Sequence, residues 1–363
     1  MSCLSKVSIV IPSLDPDDKL LAVVDGLLSV GFDDIILIND GSKPENLSYF
    51  SAAAENPQVT VLHHPKNLGK GAALKTAFAW FLENRSERVG VVTADGDNQH
   101  HPEDIKACAE HLCDTGHFTL GVRDFSLPEV PARSRSGNRI TSFVFKVFIG
   151  MTISDTQTGL RALPAAQLPL FLRVFGDRFE YETNMLLALK EHSIPFDEVK
   201  IRTVYIEENK SSHFRAVQDS WRIYKLLLAH FFRYTLSSLV SAIMDEGLFA
   251  LLSFVLQGFL TGFALTAVPT AAARLISSLF NFFVNKKYVF RKNVSTGKAL
   301  LRYYALAIPT ALLQMGLTYG VFALLGIGAG QTLLRALIYG IVMVALFIFT
   351  FMVQQRWVFT EKK

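Results

Sequence analysis

Four long apolar segments constrain this chain more than any other feature of its sequence. They cover residues 235–256, 267–285, 303–325 and 332–353, and each has roughly the length that a helix needs to cross a bilayer. The whole chain is 50% hydrophobic with a mean hydropathy of +0.29, which is too apolar for an ordinary soluble enzyme. We therefore predict that residues 235–363 form an all-α membrane domain with four transmembrane helices.

The charges between these segments predict their orientation. The turns near 257–266 and 326–331 carry no charge, whereas the opposite helix ends carry many Lys and Arg residues. The positive-inside rule places such basic ends in the cytoplasm. Because the run 7–12 is too short for the apolar core of a signal peptide, we expect the N-terminal domain and both termini to be cytoplasmic.

The membrane half contains an internal repeat with one constant offset. Arg233-Tyr234 recurs as Arg302-Tyr303, and the segment 285–290 recurs as 354–359, while a weaker match relates 245–248 to 314–317. The repeat predicts two parallel helical hairpins. The spans also contain acidic and basic side chains, and one hypothesis is that Asp245 pairs with Arg274 or Arg335. The alternative is that Glu246 is protonated and that the two arginines snorkel outward.

Residues 219–234 join the two halves. Trp221, Tyr224 and Phe231 alternate there with cationic side chains, a pattern typical of a helix lying in the membrane interface. An ordinary amphipathic helix packed on the preceding domain is the alternative.

Residues 1–218 have the composition of an ordinary α/β domain. Short apolar runs that read as strands alternate with helical segments, and this order predicts a mostly parallel, Rossmann-like sheet. The predicted strands cover residues 7–12, 35–38, 59–63, 89–93, 118–122 and 199–206.

The most informative stretch of this domain follows its fourth strand. Asp95, Asp97 and Gln99 alternate there, so in an extended segment their side chains share one face. Ligands of open α/β sheets bind outside the carboxyl ends of the strands, and oxygen ligands suit Mg²⁺ or Mn²⁺. The alternative is a polar turn before a helix that has His101 near its cap and Pro102 at its first position.

Other polar groups follow the neighbouring strands. Asp40-Gly41 could accept hydrogen bonds from a base or ribose, or could form a plain Asx turn. Lys70 stands between two glycines at the start of a helix, which suits close approach to an anion. The segment 133–139 is rich in Arg, and it is either a solvated loop or a complement to phosphates.

The three cysteines are Cys3, Cys108 and Cys113. Their odd number and the expected intracellular setting argue against a disulfide framework. Cys108, Cys113 and the nearby His111 and His117 do not converge on one helical face, so we do not expect a zinc site there.

Taken in order, these motifs make residues 1–215 resemble the inverting family 2 glycosyltransferases of the GT-A fold, above all the dolichyl-phosphate mannose synthases and the polyprenyl-phosphate glucosyltransferases. Residues 230–360 resemble the GtrA-like membrane module. The motifs behind the first resemblance are Pro12, Asn39-Asp40-Gly41-Ser42, Gly69-Lys70-Gly71, Asp95-Gly96-Asp97-Asn98-Gln99, Gly121-Val122-Arg123, Ser136-Gly137-Asn138, the turn 155–161 and Glu180-Tyr181-Glu182.

The resemblance implies roles for individual residues. It implies catalytic roles for Asp95, Asp97 and Arg123, of which Arg123 meets a phosphate. It implies a metal ion held by Asp95, Asp97 and Gln99. The nucleotide-sugar site implied in this way comprises Pro12, Asp15, Asp40, Gly41, Lys70, Asp95 and Asp97. The lipid-phosphate site comprises Arg133, Arg135, Lys210 and His213.

The sequence departs from the family pattern in two places. Leu14, Asp15 and Pro16 replace the Tyr and Asn-Glu that often follow the first strand, which puts the base contacts in doubt. His213 stands where the mannose synthases have a phosphate-gripping Lys.

We therefore predict a metal-dependent enzyme that transfers a hexose, with inversion, from a nucleotide sugar of the UDP-glucose or GDP-mannose type to a polyprenyl phosphate in the membrane. A net charge of +4 without a basic stripe argues against nucleic-acid binding. The sequence is compatible with a homo-oligomer. Two alternatives are a transferase acting on another lipid or lipid-linked sugar, and a flippase-like transporter with a regulatory soluble domain.

Overall fold

The computed structural model describes residues 3–128, 130–202, 225, 228–290, 294–327 and 331–360, apart from the side chains of Arg133 and His230. The chain divides into two compact units, Met1–Lys225 and Leu226–Lys363.

The first unit is built on a seven-stranded sheet with the order β3-β2-β1-β4-β6-β5-β7. Neighbouring strands are parallel except at β6, which runs antiparallel to both β4 and β5. The strands are β1 (Val7–Ser13), β2 (Ile35–Asn39), β3 (Val59–His63), β4 (Gly90–Thr93), β5 (Phe118–Arg123), β6 (Arg161–Pro164) and β7 (Phe196–Ile201).

Helices cover both faces of this sheet, which explains why its central strands are apolar without alternation. All five residues of β2 are buried, and in β1 only Pro12 is partly exposed. The helices of this unit are α1 (Lys19–Ser29), α2 (Leu47–Ala54), α3 (Lys70–Asn84), α4 (Pro102–Thr115), α5 (Ala132–Val144), α6 (Leu168–Phe171) and α7 (Glu180–Glu191). The α/β class and the mostly parallel sheet predicted from the sequence are confirmed.

Three elements differ from the prediction. The turn predicted around Arg161 continues into β6, a strand whose residues are all buried. The segment 133–139, for which a solvated loop was one interpretation, is helical and belongs to α5. Strand β7 begins at Phe196, earlier than predicted, because its register with β5 pairs Phe196 with Phe118.

The N-terminal turn Cys3–Lys6 packs against α4, and a disulfide joins Cys3 to Cys113. The argument from the odd cysteine number was therefore wrong. The two Cα atoms lie 6.1 Å apart although the residues are 110 positions apart in sequence, so only the fold brings them together. Cys108 is free and buried in the core.

The second unit consists of helices long and apolar enough to cross a membrane, as predicted. The described ones are α8 (Ala229–Leu256), α9 (Gly262–Val284), α10 (Thr296–Leu324) and α11 (Thr332–Val353). Both α9 and α11 end in a π-helical turn, at Asn285–Val289 and Gln354–Val358. These two turns are related by the sequence repeat.

Side-chain contacts confirm that the two hairpins are repeats packed around a pseudo-two-fold axis. Asn285 Nδ2 donates to Oε1 of its own repeat equivalent, Gln354, at 3.2 Å. The Phe290 and Phe359 rings, also equivalent positions, stack with centroids 5.0 Å apart.

Away from the axis, contacts occur in symmetric pairs. The Tyr234 hydroxyl lies 3.2 Å from Thr350 Oγ1. Tyr303, the repeat equivalent of Tyr234, donates to Oδ1 of Asn281, the equivalent of Thr350, at 3.1 Å. Each hairpin thus presents the same positions to the other, which is the pattern of an isologous interface.

A polar cluster occupies the first hairpin. Arg274 Nη2 lies 3.0 Å from Asp245 Oδ2, which confirms the hypothesis of an ion pair. Ser277 Oγ donates to Asp245 Oδ1 at 2.8 Å. Arg335 instead lies over the Phe322 ring, 4.4 Å from its centroid.

Candidate active site

A cleft of about 400 Å³ opens at the carboxyl ends of β1, β2 and β4. This is the edge of an open α/β sheet at which ligands bind, because the loops after the strands diverge there. Its walls come from five loops and the first residues of α1 and α3. The lining residues are Pro12, Ser13, Leu14, Asp15, Pro16, Asp17, Lys19, Asp40, Asn67, Gly69, Lys70, Asp95, Gly96, Asp97, Arg178 and Phe179.

The acidic loop after β4 turns rather than continuing as an extended segment. The turn lies at Gly96 and Asp97, and Asn98 has a left-handed backbone with φ of 61°. The prediction that Asp95, Asp97 and Gln99 share a face because they alternate was therefore wrong in its geometry. Asp95 and Asp97 nevertheless both line the cleft, whereas Gln99 is not among the lining residues.

Lys70 connects the acidic loop to α7. Its Nζ donates to Asp95 Oδ1 at 2.7 Å and lies 3.0 Å from Glu182 Oε1. Burial alone would lower the pKa of Lys70, but the two carboxylates outweigh burial and hold the pKa above its ordinary value. Burial would likewise raise the pKa of Asp95, and Lys70 reverses that effect so that the Asp95 pKa is lowered. Both groups are therefore charged at neutral pH.

Asp97 has the opposite electrostatic environment. Burial and the negative charge of Asp95 raise the pKa of Asp97 above its ordinary value. Its Oδ1 accepts a hydrogen bond from the backbone N of Gln99 at 3.1 Å. A cation beside Asp97 would relieve the repulsion between the two carboxylates.

This donor set fits a hard divalent ion. Asp95 and Asp97 offer carboxylate oxygens at one wall of the cleft, and Mg²⁺ in such sites takes its other ligands from water and substrate phosphates. Within the described residues, no three His, Cys, Asp or Glu side chains form a closed metal cage. Asp95 and Asp97 are the carboxylates that would hold such an ion.

Gly159 allows Asp95 its position. A Cβ on Gly159 would lie 2.4 Å from Asp95 Oδ2, which is too close for any side chain. Thr93 Oγ1 donates to the Gly159 carbonyl at 2.7 Å and fixes the turn against the end of β4. The turn before β6 therefore shapes the wall behind the acidic loop.

Asp40 borders the cleft, but the surrounding loop uses much of its hydrogen-bonding capacity. Its two carboxylate oxygens accept hydrogen bonds from the backbone N of Leu68 at 2.9 Å and of Gly69 at 2.8 Å. His64 Nδ1 lies 2.7 Å from Asp40 Oδ1. Gly69 has a φ of 107°, a conformation that favours glycine. Asp40 therefore holds the loop that presents Lys70.

Asp15 connects two loops at the mouth of the cleft. Its backbone is left-handed, with φ of 47°, and its Oδ1 accepts from the backbone N of Lys43 at 2.8 Å. Its own backbone N donates to Ser42 Oγ at 2.8 Å. Gly41 lies between Asp40 and Ser42 with φ of 73°. Asp15 thus lines the cleft and its carboxylate organises the rim, whereas Gly41 is not among the lining residues.

The arginines assigned to phosphates have protein partners. Arg123 Nε donates to Oδ2 of the fully buried Asp155 at 2.7 Å, and its Nη2 donates to Oδ1 at 3.2 Å. Arg135, in α5, donates to the carbonyls of Leu127 and Val130 at 2.8 and 3.3 Å. Neither residue lines the cleft. The Arg133 side chain, Lys210 and His213 lie outside the described residues.

Sequence reasoning missed several residues at the site. Glu182 was recognised only as part of a motif, and its contact with Lys70 depends on the packing of α3 against α7. Gly71 permits this packing, because a Cβ there would lie 2.5 Å from Tyr181 Cβ. Arg178 and Phe179 enter the cleft from the turn before α7, and no sequence pattern signals them.

Each half of the chain is similar to a known family. Residues 8–164 match the family described as Glycosyl transferase family 2. Residues 233–359 match the GtrA/DPMS transmembrane domain. The two matches cover the two structural units in order.

Several similar proteins are named as sugar transferases for lipid phosphates. The UDP-N-acetylglucosamine–dolichyl-phosphate N-acetylglucosaminyltransferase of Methanococcus voltae is 26% identical over 61% of this chain and 95% of that protein. The undecaprenyl-phosphate mannosyltransferase of Micrococcus luteus is 25% identical over 45% of this chain and 68% of that protein. The undecaprenyl-phosphate 4-deoxy-4-formamido-L-arabinose transferase of Yersinia pestis is 26% identical over 44% of this chain and 49% of that protein.

Proposed function

We propose that this chain, in which a family 2 glycosyltransferase domain is followed by a GtrA/DPMS transmembrane domain, transfers a hexose with inversion from a nucleotide sugar to a polyprenyl phosphate. The observation that carries the proposal is the cleft lined by Asp95, Asp97 and Lys70 at the carboxyl edge of the sheet. Three similar proteins, from three organisms, are transferases named for dolichyl or undecaprenyl phosphate.

The donor would bind along the cleft with its diphosphate toward the acidic loop. Asp95 and Asp97 would hold Mg²⁺ or Mn²⁺ there, with Gln99 nearby, and such an ion neutralises the charge on a leaving diphosphate. The base and ribose would lie toward Pro12, Asp15 and Asp40, on the β1 and β2 side of the cleft.

The chain's own groups position this arrangement. Lys70 keeps Asp95 ionised and fixes its carboxylate between α3 and the turn at Gly159. Asp40 holds the loop that carries Lys70 by accepting two backbone hydrogen bonds. Preorganised charges of this kind lower the barrier because they need not reorient during the reaction.

The acceptor determines whether a general base is required. A phosphate oxygen is already anionic near pH 7, so it needs only positioning and charge shielding. A sugar hydroxyl would need a carboxylate base. Glu182 Oε1 lies 3.0 Å from Lys70 Nζ and its side chain does not line the cleft, so it is not placed to act as such a base, and this favours a phosphate acceptor.

The domain limits and sidedness are part of the proposal. Residues 1–218 would form the catalytic domain, 219–234 an interfacial helix and 235–363 the membrane domain. Half of the predicted interfacial helix lies outside the described residues, and its last residues, 229–234, belong to α8. Basic ends of the spans, such as Lys286 and Lys287, support a cytoplasmic location for the catalytic domain and both termini.

The test uses the full chain in lipid nanodiscs with a panel of nucleotide sugars and a polyprenyl phosphate. Mass spectrometry of the lipid fraction should show a hexosyl phosphate product. NMR should show that the anomeric configuration of this product is inverted relative to the donor. A chelator should prevent product formation. The matched acceptor is the same polyprenol without phosphate. Equal transfer to the polyprenol would refute the phosphate acceptor, and absence of sugar transfer with every donor would refute the enzyme assignment.

A further inference from the structure

Two charged side chains in the first hairpin face outward from the membrane unit. The Arg274 side chain is 73% exposed although it pairs with Asp245, which is only 13% exposed. Glu246, the next residue on α8, is exposed and forms no ion pair within the described residues. Both lie within helices that are long and apolar enough to cross a membrane.

Both charges lie at the same depth. The first residue of the Glu246 span is Phe231, and the last residue of the Arg274 span is Val289. The same number of residues separates Glu246 from Phe231 as separates Arg274 from Val289. Each is therefore about 22 Å from the same end of the unit. The Asp245–Arg274 contact places the Arg274 guanidinium beside the residue that precedes Glu246 on α8.

The second hairpin has no charge at the corresponding positions. Met315 is the repeat equivalent of Glu246, and Met343 is the equivalent of Arg274. Both methionines are exposed, as expected for lipid-facing positions. Glu246 and Arg274 therefore occur in one hairpin only, and the second hairpin adopts the same fold without charges at these positions.

A charge facing lipid is costly, so an ionisable residue within a span usually faces protein, water or a partner. We propose that a second copy of this chain covers the face of the first hairpin that carries Glu246 and Arg274. Charge complementarity identifies the occupant: one copy offers an acid and a largely exposed guanidinium at a single depth. A two-fold axis along the membrane normal keeps depth unchanged, so Glu246 of each copy meets Arg274 of the other.

This inference concerns assembly and is independent of the proposed chemistry. The interface would be distinct from the pseudo-two-fold contact inside each chain, whose axis passes between Asn285 and Gln354. It would also leave the second hairpin of each copy facing lipid.

Disulfide cross-linking between differently tagged copies tests the proposal in membranes. One full-length copy carries Glu246→Cys and the other Arg274→Cys, and oxidation should give a product that carries both tags. The matched control is Met315→Cys with Met343→Cys, which should give no more product than the parental chains with their native cysteines. Cross-linking no stronger in the first pair than in the control would overturn the proposal.

A second measurement avoids cysteine chemistry. Glu246→Gln removes the charge and keeps the shape, and the fraction of dimers in vesicles, counted by single-molecule photobleaching, should fall with an affinity loss of about tenfold for two reciprocal contacts. Met315→Gln should leave the fraction unchanged. If Glu246→Gln dimerises as the parent does, then an uncharged Glu246 faces lipid, or a lipid headgroup covers Arg274, and the proposed interface is wrong.

Discussion

Lys70 is the residue on which the geometry of the cleft depends most. It is the first residue of α3, and its ammonium group lies between Asp95 and Glu182. Through it, the acidic loop and α7 are held together although they are far apart in sequence. The same contact keeps Asp95 negative despite its burial.

We expect Lys70→Met to slow sugar transfer by about 10- to 100-fold, the range found when a group that orients a metal ligand is removed. Lys66→Met is the matched control, because Lys66 is exposed in the preceding loop and does not line the cleft. Initial rates and donor affinity should be measured for both variants. Similar rates for Lys70→Met and Lys66→Met would show that Lys70 does not position the site.

We expect Asp97→Ala to lower transfer by about 100-fold or more while the fold is kept, because shielding of the leaving diphosphate is worth several kcal/mol. Product formation and Mn²⁺ affinity measure the effect, and circular dichroism checks the fold. Asp124→Ala serves as the control, since Asp124 is an exposed residue after β5. Normal activity of purified Asp97→Ala would exclude a role for this carboxylate in metal binding.

At the scale of single residues, the sequence predicted which residues belong to the site better than it predicted their contacts. Asp95, Asp97 and Lys70 were identified because acidic and glycine-flanked basic groups follow buried strands. Arg123 was assigned from the family resemblance, yet its guanidinium donates to Asp155. Such pairings depend on strand order, and strand order is not visible in a local motif.

Helix α5 shows how an element can carry cations without being a loop. Its sequence is rich in Ser, Asn and Gly, which are poor helix formers, so propensity alone argues against it. Arg135 stabilises the turn before the helix through two carbonyls, while Ile140 and Phe143 stay exposed. Tertiary contacts therefore decide the conformation of this segment.

We expect Arg135→Ala to weaken use of the lipid phosphate by about tenfold, since it removes the carbonyl contacts that order the start of α5 together with one cation for a phosphate. The Michaelis constant for the polyprenyl phosphate should rise while that for the nucleotide sugar stays constant. Lys106→Ala on α4 provides the comparison, because Lys106 lies on another helix. An equal effect on both substrates would contradict a role for α5 at the acceptor.

Strand β6 could not be predicted from the sequence for a related reason. It is short, and one of its residues, Arg161, is 1% exposed with its Nη1 donating to the Glu182 carbonyl at 2.7 Å. A buried Arg has no place in the usual apolar strand pattern. The five strands before it were predicted because they form continuous apolar runs of ordinary length.

The membrane unit is held together by polar contacts along its pseudo-two-fold axis. Asn285 donates to Asn281 Oδ1 at 2.8 Å and to Gln354, and it accepts from Ser237 Oγ at 2.8 Å. In hydrocarbon, helices gain little from burying apolar side chains against one another, so hydrogen bonds of this kind contribute to association.

We expect Asn285→Leu to destabilise the membrane unit by about 1–3 kcal/mol, because it leaves buried partners without hydrogen bonds. Gln354→Leu should destabilise it as well, and the double variant should lose less than the two single changes predict together. Unfolding in mixed micelles measures these effects. Gln257→Leu is the reference, because Gln257 is exposed at the end of α8. Full additivity would show that Asn285 and Gln354 do not interact.

The repeat was readable in the sequence because three short segments share one offset. The pairing of Asp245 with Arg274 was one hypothesis, based on the cost of charge in a bilayer. The repeat shows which positions of the two hairpins are equivalent, but it does not show which of them are in contact. The contacts across the axis were therefore not predictable from the sequence.

Joining the two hairpins in one polypeptide has a consequence for how each can change. In a dimer of identical hairpins, every substitution would appear twice, and a charge introduced on one side would be duplicated on the other. Here a substitution is made once, so only positions that meet their own equivalents, such as Asn285 with Gln354, constrain one another directly. The covalent link thus frees one hairpin to acquire Asp245, Glu246 and Arg274 while the other keeps Gln314, Met315 and Met343. Each hairpin can therefore take on side chains that the other lacks, one substitution at a time.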